Sequence, residues 1–109
     1  MTPQADVSQL MRALGDPTRR AVYERIAECG EATVSALVEG VDVSQPAVSQ
    51  HLKALRAAGL VSERREGRFV RYSAEPKALE PLIDWLGYYG SFWRKRFANL
   101  EKLMKEIDP

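Results

Sequence analysis

Residues 44–59 read SQPAVSQHLKALRAAG, and the fold turns on how that run is organised. Ser44 suits a helix cap because its hydroxyl can accept a free N–H of the first turn, and Pro46 fits that turn because it has no N–H to lose. Val48, Leu52 and Leu55 recur at steps of three and four, the spacing of one helical face, and Gly59 marks the stop. With that face buried and about 100° between successive residues, Pro46, Gln50, Lys53 and Ala57 point away from the core. Ser49 then lies on the flank and Gln45 at the open N-terminal end.

Just upstream, Val34 to about Glu39 predicts a short third helix with Thr33 as cap and Gly40 as stop, and residues 41–43 connect it to the helix above. Two helices joined this tightly form a helix-turn-helix candidate. Just downstream, Leu60 to Arg65 and Arg68 to Ser73 alternate as strands, with Glu66-Gly67 expected as a two-residue hairpin loop. Nearer the N-terminus, Val7, Leu10, Met11 and Leu14 predict a first helix, and Asp16-Pro17 opens a second that runs to Cys29 and stops at Gly30. Its apolar face holds Ala21, Val22, Ile26 and Cys29, which makes Cys29 a buried, inert thiol.

Beyond Pro76 and Pro81, the residues Leu82, Leu86, Tyr89, Trp93, Phe97, Leu100, Met104 and Ile107 follow a helical spacing. Gly87 and Gly90 are expected to bend or loosen that helix. The expected fold is mostly α with a small β-hairpin wing, of the α+β class, with five or six helices. Residues 1–109 form a single domain on this reading, and residues 77–109 its C-terminal dimerisation region.

A length of 109 residues suits one domain, and 45% apolar with 28% charged residues is the balance of a soluble globular chain. No apolar run is long enough to cross a bilayer, MTPQADVSQL lacks the features of a signal peptide, and one cysteine cannot make an internal disulfide. The expected location is the cytoplasm. A net charge of +1 says little about partners, but its distribution does: residues 1–43 carry four basic and seven acidic groups, whereas residues 44–71 carry six basic and two acidic. Six of the nine aromatics fall in residues 77–109. Charge and aromatic mass occupy different segments, which implies separate tasks.

No catalytic constellation is present. The sequence has no glycine-rich phosphate loop, no Gly-x-Ser-x-Gly elbow and no His-Glu-x-x-His pair. Its one histidine, His51, has no carboxylate at i+3 or i+4 and reads as a boundary residue packing against a neighbouring helix. No cofactor is expected and the chain is not read as an enzyme.

The outward face of the fourth helix offers a different chemistry. A helix in the major groove reads base edges with its first residues, where glutamine can pair with adenine and serine can bond to several bases. Lys53 and Arg56, further along, suit phosphates. A solvated face is the ordinary fate of Gln45, Ser49 and Gln50 taken alone. The ribbon shifts the balance, because Arg64, Arg65, Arg68 and Arg71 surround its glycine turn, and no acidic partner opposite Arg68 or Arg71 is identifiable from the sequence. Together they point to double-stranded DNA. The stripe of Trp85, Tyr89, Phe92, Trp93, Phe97 and Leu100 exceeds what so small a core can cover, so a second chain is expected to bury much of it.

The runs Leu14-Gly15-Asp16-Pro17-Thr18-Arg19-Arg20, Ser44 to Leu55, Ala58-Gly59-Leu60-Val61 and Arg65-Glu66-Gly67-Arg68 closely resemble the ArsR/SmtB-like winged-helix repressors over nearly the whole chain. The resemblance implies a homodimer built from the first and last helices, which brings Leu10 and Leu14 into the interface beside the aromatic stripe. It also implies a near-palindromic operator, often controlling the repressor's own operon, with Gln45, Ser49 and Gln50 facing the major groove. Ser44, Pro46, Lys53, Arg56, Arg65, Arg68 and Arg71 complete the expected DNA-contact set. Many members sense metals through cysteines in the third helix or Asp and His pairs in the last. Here the third helix reads Val34-Ser35-Ala36-Leu37-Val38 and the last has Asp84 and Glu101 but no histidine, so the chain resembles the metal-independent branch. The competing reading is a protein-interaction module that has lost DNA binding and acts through the aromatic helix.

Overall fold

Asp16 ends one helix and begins the next. The computed structural model describes residues 6–107, in which α1 (Val7–Gly15) meets α2 (Pro17–Cys29) at this residue. The Arg19 N–H donates to Asp16 Oδ1 at 2.9 Å, and Pro17 occupies the first turn. A capping box starts α1: the Gln9 N–H donates to Asp6 Oδ1 at 2.8 Å and the Asp6 N–H to Gln9 Oε1 at 3.0 Å. Gly30 stops α2 with a φ of 84°, a backbone that favours glycine.

The chain then passes through β1 (Glu31–Ala32) into α3 (Val34–Gly40), whose cap is Thr33. The next helix, α4 (Gln45–Ala57), is the one read from residues 44–59, and the Ala47 N–H donates to Ser44 Oγ at 3.3 Å. It ends in a Schellman motif, with Leu60 N–H to Leu55 O at 3.0 Å, Gly59 N–H to Arg56 O at 2.9 Å, and Gly59 at a φ of 75°. That motif redirects the chain into β2 (Val61–Glu66), which pairs with β3 (Phe69–Ala74). The sheet is antiparallel in the order β1-β3-β2, and α5 (Glu80–Ile107) closes the fold.

The fold class is as expected: five helices and a small sheet containing the wing hairpin, among the described residues. Four details differ from expectation. β1 was not anticipated; it exists as a strand because Glu31 and Ala32 pair with Ser73 and Tyr72 of β3. The hairpin loop is Gly67-Arg68 rather than Glu66-Gly67, since Glu66 pairs with Phe69. Gly67 alone carries a positive φ there, 61°, the pattern of a type II′ turn with glycine first. α5 is unbroken across Gly87 and Gly90. Finally, Cys29 is exposed, because the last turn of α2 extends past the elements that cover Val22 and Ile26.

The core joins all four leading helices to the sheet. Leu10, Val22, Ile26, Leu37, Val48, Leu52, Leu55 and Leu60 are fully buried, and each such side chain contributes about 1.5–3 kcal/mol. Ala78, Leu79 and Leu82 anchor the entry to α5 against this core, but no residue of α5 itself is buried. The protein measures 70 × 36 × 20 Å with a radius of gyration of 19.1 Å, against about 13 Å for a compact chain of about 100 residues. Twenty-eight residues of α5, about 42 Å of helix at 1.5 Å each, account for that length. Among the described residues no helix is long and apolar enough to cross a membrane.

Candidate nucleic-acid interface

Burial of Val48, Leu52 and Leu55 fixes which way α4 faces. Gln45, Pro46, Ser49, Gln50, Lys53 and Arg56 are all exposed, as the spacing predicts. Ser44 is exposed too, but its hydroxyl is engaged as the cap of α4. The helix thus presents a short polar ridge at its N-terminal half, held by a capped start and an apolar underside. His51 is half-buried at the edge of that underside, with its Nδ1 enclosed and unpartnered. The Asp16 carboxyl is held below the ordinary carboxylate range, first by the Arg19 N–H it accepts and then by the nearby His51 and Arg19 charges.

The basic groups divide into paired and unpaired sets. Arg56, at the end of α4, contacts Glu63 of β2 at 2.6 Å, which ties the helix to the wing. Arg64 donates to both oxygens of Glu31 at 3.0 and 3.2 Å and to Glu66 Oε2 at 3.0 Å. No acidic residue stands opposite Arg71, as expected, yet its Nε donates to Glu66 Oε2 at 3.1 Å. The residue directly opposite Arg71 is Arg64, so the partner sits diagonally, where a reading of opposed positions does not look. These arginines hold the Glu66 carboxyl below its ordinary range, Arg71 contributing first and Arg64 next. Lys53, Arg65 and Arg68 form no ion pair among the described residues. Arg68 stands at the hairpin tip, next to Phe69, which is 56% exposed.

A second surface runs along α5. Trp85 packs on Tyr89 at 4.9 Å between ring centroids, Phe92 stands perpendicular to Trp93 at 5.2 Å, and Trp93 meets Phe97 at 6.1 Å. The Arg96 guanidinium lies 4.3 Å from the centre of the Phe92 ring. These contacts order the stripe without hiding it: Trp85, Tyr89, Trp93, Phe97 and Leu100 are 40–60% exposed and Phe92 is half-buried. Leu14 is partly buried against the core. Leu10, expected at an interface, is fully enclosed within the chain's own core and has no surface to offer a second copy. Among the described residues, no group of three or more His, Cys, Asp or Glu side chains could hold a metal ion.

A family profile described as a helix-turn-helix domain matches residues 14–64, from the end of α1 into β2. The chain is 31% identical over 80 residues to the transcriptional repressor SdpR of Bacillus subtilis, a match spanning 73% of this chain and 88% of that protein. It is 40% identical over 93 residues to an HTH-type transcriptional regulator of Mycobacterium tuberculosis, 85% of this chain and 83% of the relative. Among solved structures, it is similar to an ArsR-like transcriptional regulator from Rhodococcus sp. RHA1. That likeness has a TM-score of 0.70 and 30% identity, and covers 88% of this chain and 90% of that one.

Proposed function

The chain belongs to the ArsR family of winged helix-turn-helix, DNA-binding transcriptional regulators, and from that premise we propose that it is a cytoplasmic homodimeric repressor of its own or a neighbouring operon, without enzymatic activity. Each α4 enters a major groove of a near-palindromic operator, and Gln45, Ser49 and Gln50 read base edges. The single observation that carries this reading is the capped α4, whose polar N-terminal ridge is exposed while Val48, Leu52 and Leu55 lock the opposite face.

Phosphate contacts fall first to the groups without a carboxylate partner. Lys53, Arg65 and Arg68 are the strongest candidates, whereas Arg56 and Arg71 must exchange a carboxylate for a phosphate to contribute. Ser44 and Pro46 serve by starting the helix at the groove. Arg68→Ala therefore weakens binding to every duplex and flattens the slope of log K against log salt by about 0.9, the signature of one lost phosphate contact. Isothermal titration of a selected operator and a random duplex over a range of salt checks this. An unchanged slope leaves Arg68 solvated in the complex, and failure of the wild type to bind any duplex favours a protein-interaction module acting through α5.

Operator release by metal is not expected. The third helix has no cysteine, and the described residues offer no cluster of metal ligands. Micromolar zinc, nickel or arsenite should leave operator affinity unchanged. Release that a chelator reverses would contradict this and point to a site shared between subunits.

A further inference from the structure

The wing carries four arginines, yet half of their charge is cancelled before any DNA arrives. Successive residues of a strand point to opposite faces of the sheet, and residues paired across strands share a face. The pairs Arg64 with Arg71 and Glu66 with Phe69, together with Glu31 of β1 beside Ser73, therefore lie on one face. The other face holds Ala32, Val61 and Ala74 and packs on the core. The charged face is open to solvent.

Two guanidinium groups directly opposite each other repel. Glu66 relieves that repulsion: its Oε2 accepts from Arg64 at 3.0 Å and from Arg71 at 3.1 Å. Glu31 completes the set by accepting from Arg64 with both oxygens. Two positive and two negative groups cancel, and the wing's free charge falls to Arg65 and Arg68. The four side chains remain 37–56% exposed, so water reaches all of them and the pairs add little to folding. A phosphate can take the place of a carboxylate on such an exposed arginine at modest cost. The same exchange is open to any DNA, whatever its sequence, since phosphates carry no sequence information.

From this arrangement we infer that Glu66 tunes the wing's sequence-independent hold on DNA: it occupies Arg71, shares Arg64 with Glu31, and so limits the phosphate contacts the wing can make. The inference rests on the DNA-binding function proposed above. A phosphate contact adds equally to the operator and to random DNA, so occupying these arginines lowers affinity for every duplex. Glu66 acts on DNA through the two arginines and not by contact.

The test is Glu66→Gln, which keeps the shape and removes the charge. Affinity is measured over a range of salt for a random-sequence duplex and for a duplex selected by the wild-type chain from a random pool. The variant should bind the random duplex about tenfold more tightly at about 0.1 M salt, with a log–log slope steeper by about 0.9 for the one arginine freed, Arg71, since Glu31 still holds Arg64. The selected duplex should gain by about the same factor, since a phosphate contact is blind to sequence. Glu31→Gln should move the slope less, because Glu66 still holds Arg64 and Arg71. Glu75→Gln is the charge control: Glu75 is exposed and has no ion pair among the described residues, so its slope should match the wild type. In Glu66→Gln/Arg71→Ala the slope should drop back by about one unit, which assigns the gain to Arg71.

An unchanged slope in Glu66→Gln, a change no larger than that of Glu75→Gln, or weaker binding to random DNA would each overturn the inference while leaving the functional reading intact. The last of these would mean that Glu66 orients the arginines for DNA. If the wild type binds neither duplex, the functional reading falls and this inference with it.

Discussion

Trp93→Glu should abolish operator binding, although Trp93 lies on α5 and not on α4, the helix proposed to enter the groove. Trp85, Tyr89, Trp93, Phe97 and Leu100 leave 40–60% of their surface open, and covering that remainder with a second copy contributes about half of the roughly 1.5–3 kcal/mol that full burial of each would give. A two-fold pair of chains sets two copies of α4 one DNA turn apart, about 34 Å, so that each reads one half-site. A carboxylate at the centre of that stripe must be desolvated when the copies meet. The protomer core does not depend on Trp93, because no residue of α5 is buried within it. Sedimentation should therefore show the wild type as a dimer at micromolar concentration. The variant should be a monomer with helical circular dichroism, or unfolded if the protomer cannot stand alone. A folded monomer binding the full palindrome with wild-type affinity would refute this role of α5.

Gln50→Ala and Ser49→Ala should each weaken operator binding by about 1–3 kcal/mol while leaving random DNA nearly untouched. Both residues are exposed on α4 beside the buried Val48 and Leu52, so their truncation opens no cavity and leaves the helix in place. On the proposed reading their contribution is confined to the complex with the right sequence. The pattern is the reverse of that predicted for Arg68→Ala, which weakens all duplexes alike. Competition titrations with selected and random duplexes separate the two patterns, and equal losses on both would remove Gln50 and Ser49 from base reading.

Local features of this chain carry their meaning in the sequence, and non-local ones do not. α4 is legible to within a residue because Ser44, Pro46 and Gly59 mark its ends and Val48, Leu52 and Leu55 mark its inner face. The helix boundaries at Asp16 and Gly30 are legible for the same reason. The hairpin loop slips by one residue because alternation survives either placement, and only the positive φ of Gly67 decides which pair closes the turn. β1 has two residues and no strand pattern of its own; it depends on β3, about 40 residues downstream. Glu31 meets Arg64 across 33 residues, so the neutralised wing is invisible to a count of nearby charges.

Helical spacing has a further ambiguity: it marks a residue as inward without saying into what. Leu10 and Cys29 both follow an apolar face, yet Leu10 fills the chain's own core and Cys29 lies past its edge. Gly87 and Gly90 cost about 1 kcal/mol each relative to alanine. The ladder of aromatic contacts from Trp85 to Phe97 bridges both positions, and the helix continues through them.

The most direct test of a dimeric reader of DNA is the stoichiometry of binding to duplexes bearing either two selected half-sites or one. Analytical ultracentrifugation of the chain titrated into each gives the number of chains bound. The palindromic duplex should saturate at two chains in one step, with the single half-site bound far more weakly. Saturation at one chain with equal affinity for both duplexes, or no binding to either by folded dimer, would contradict it.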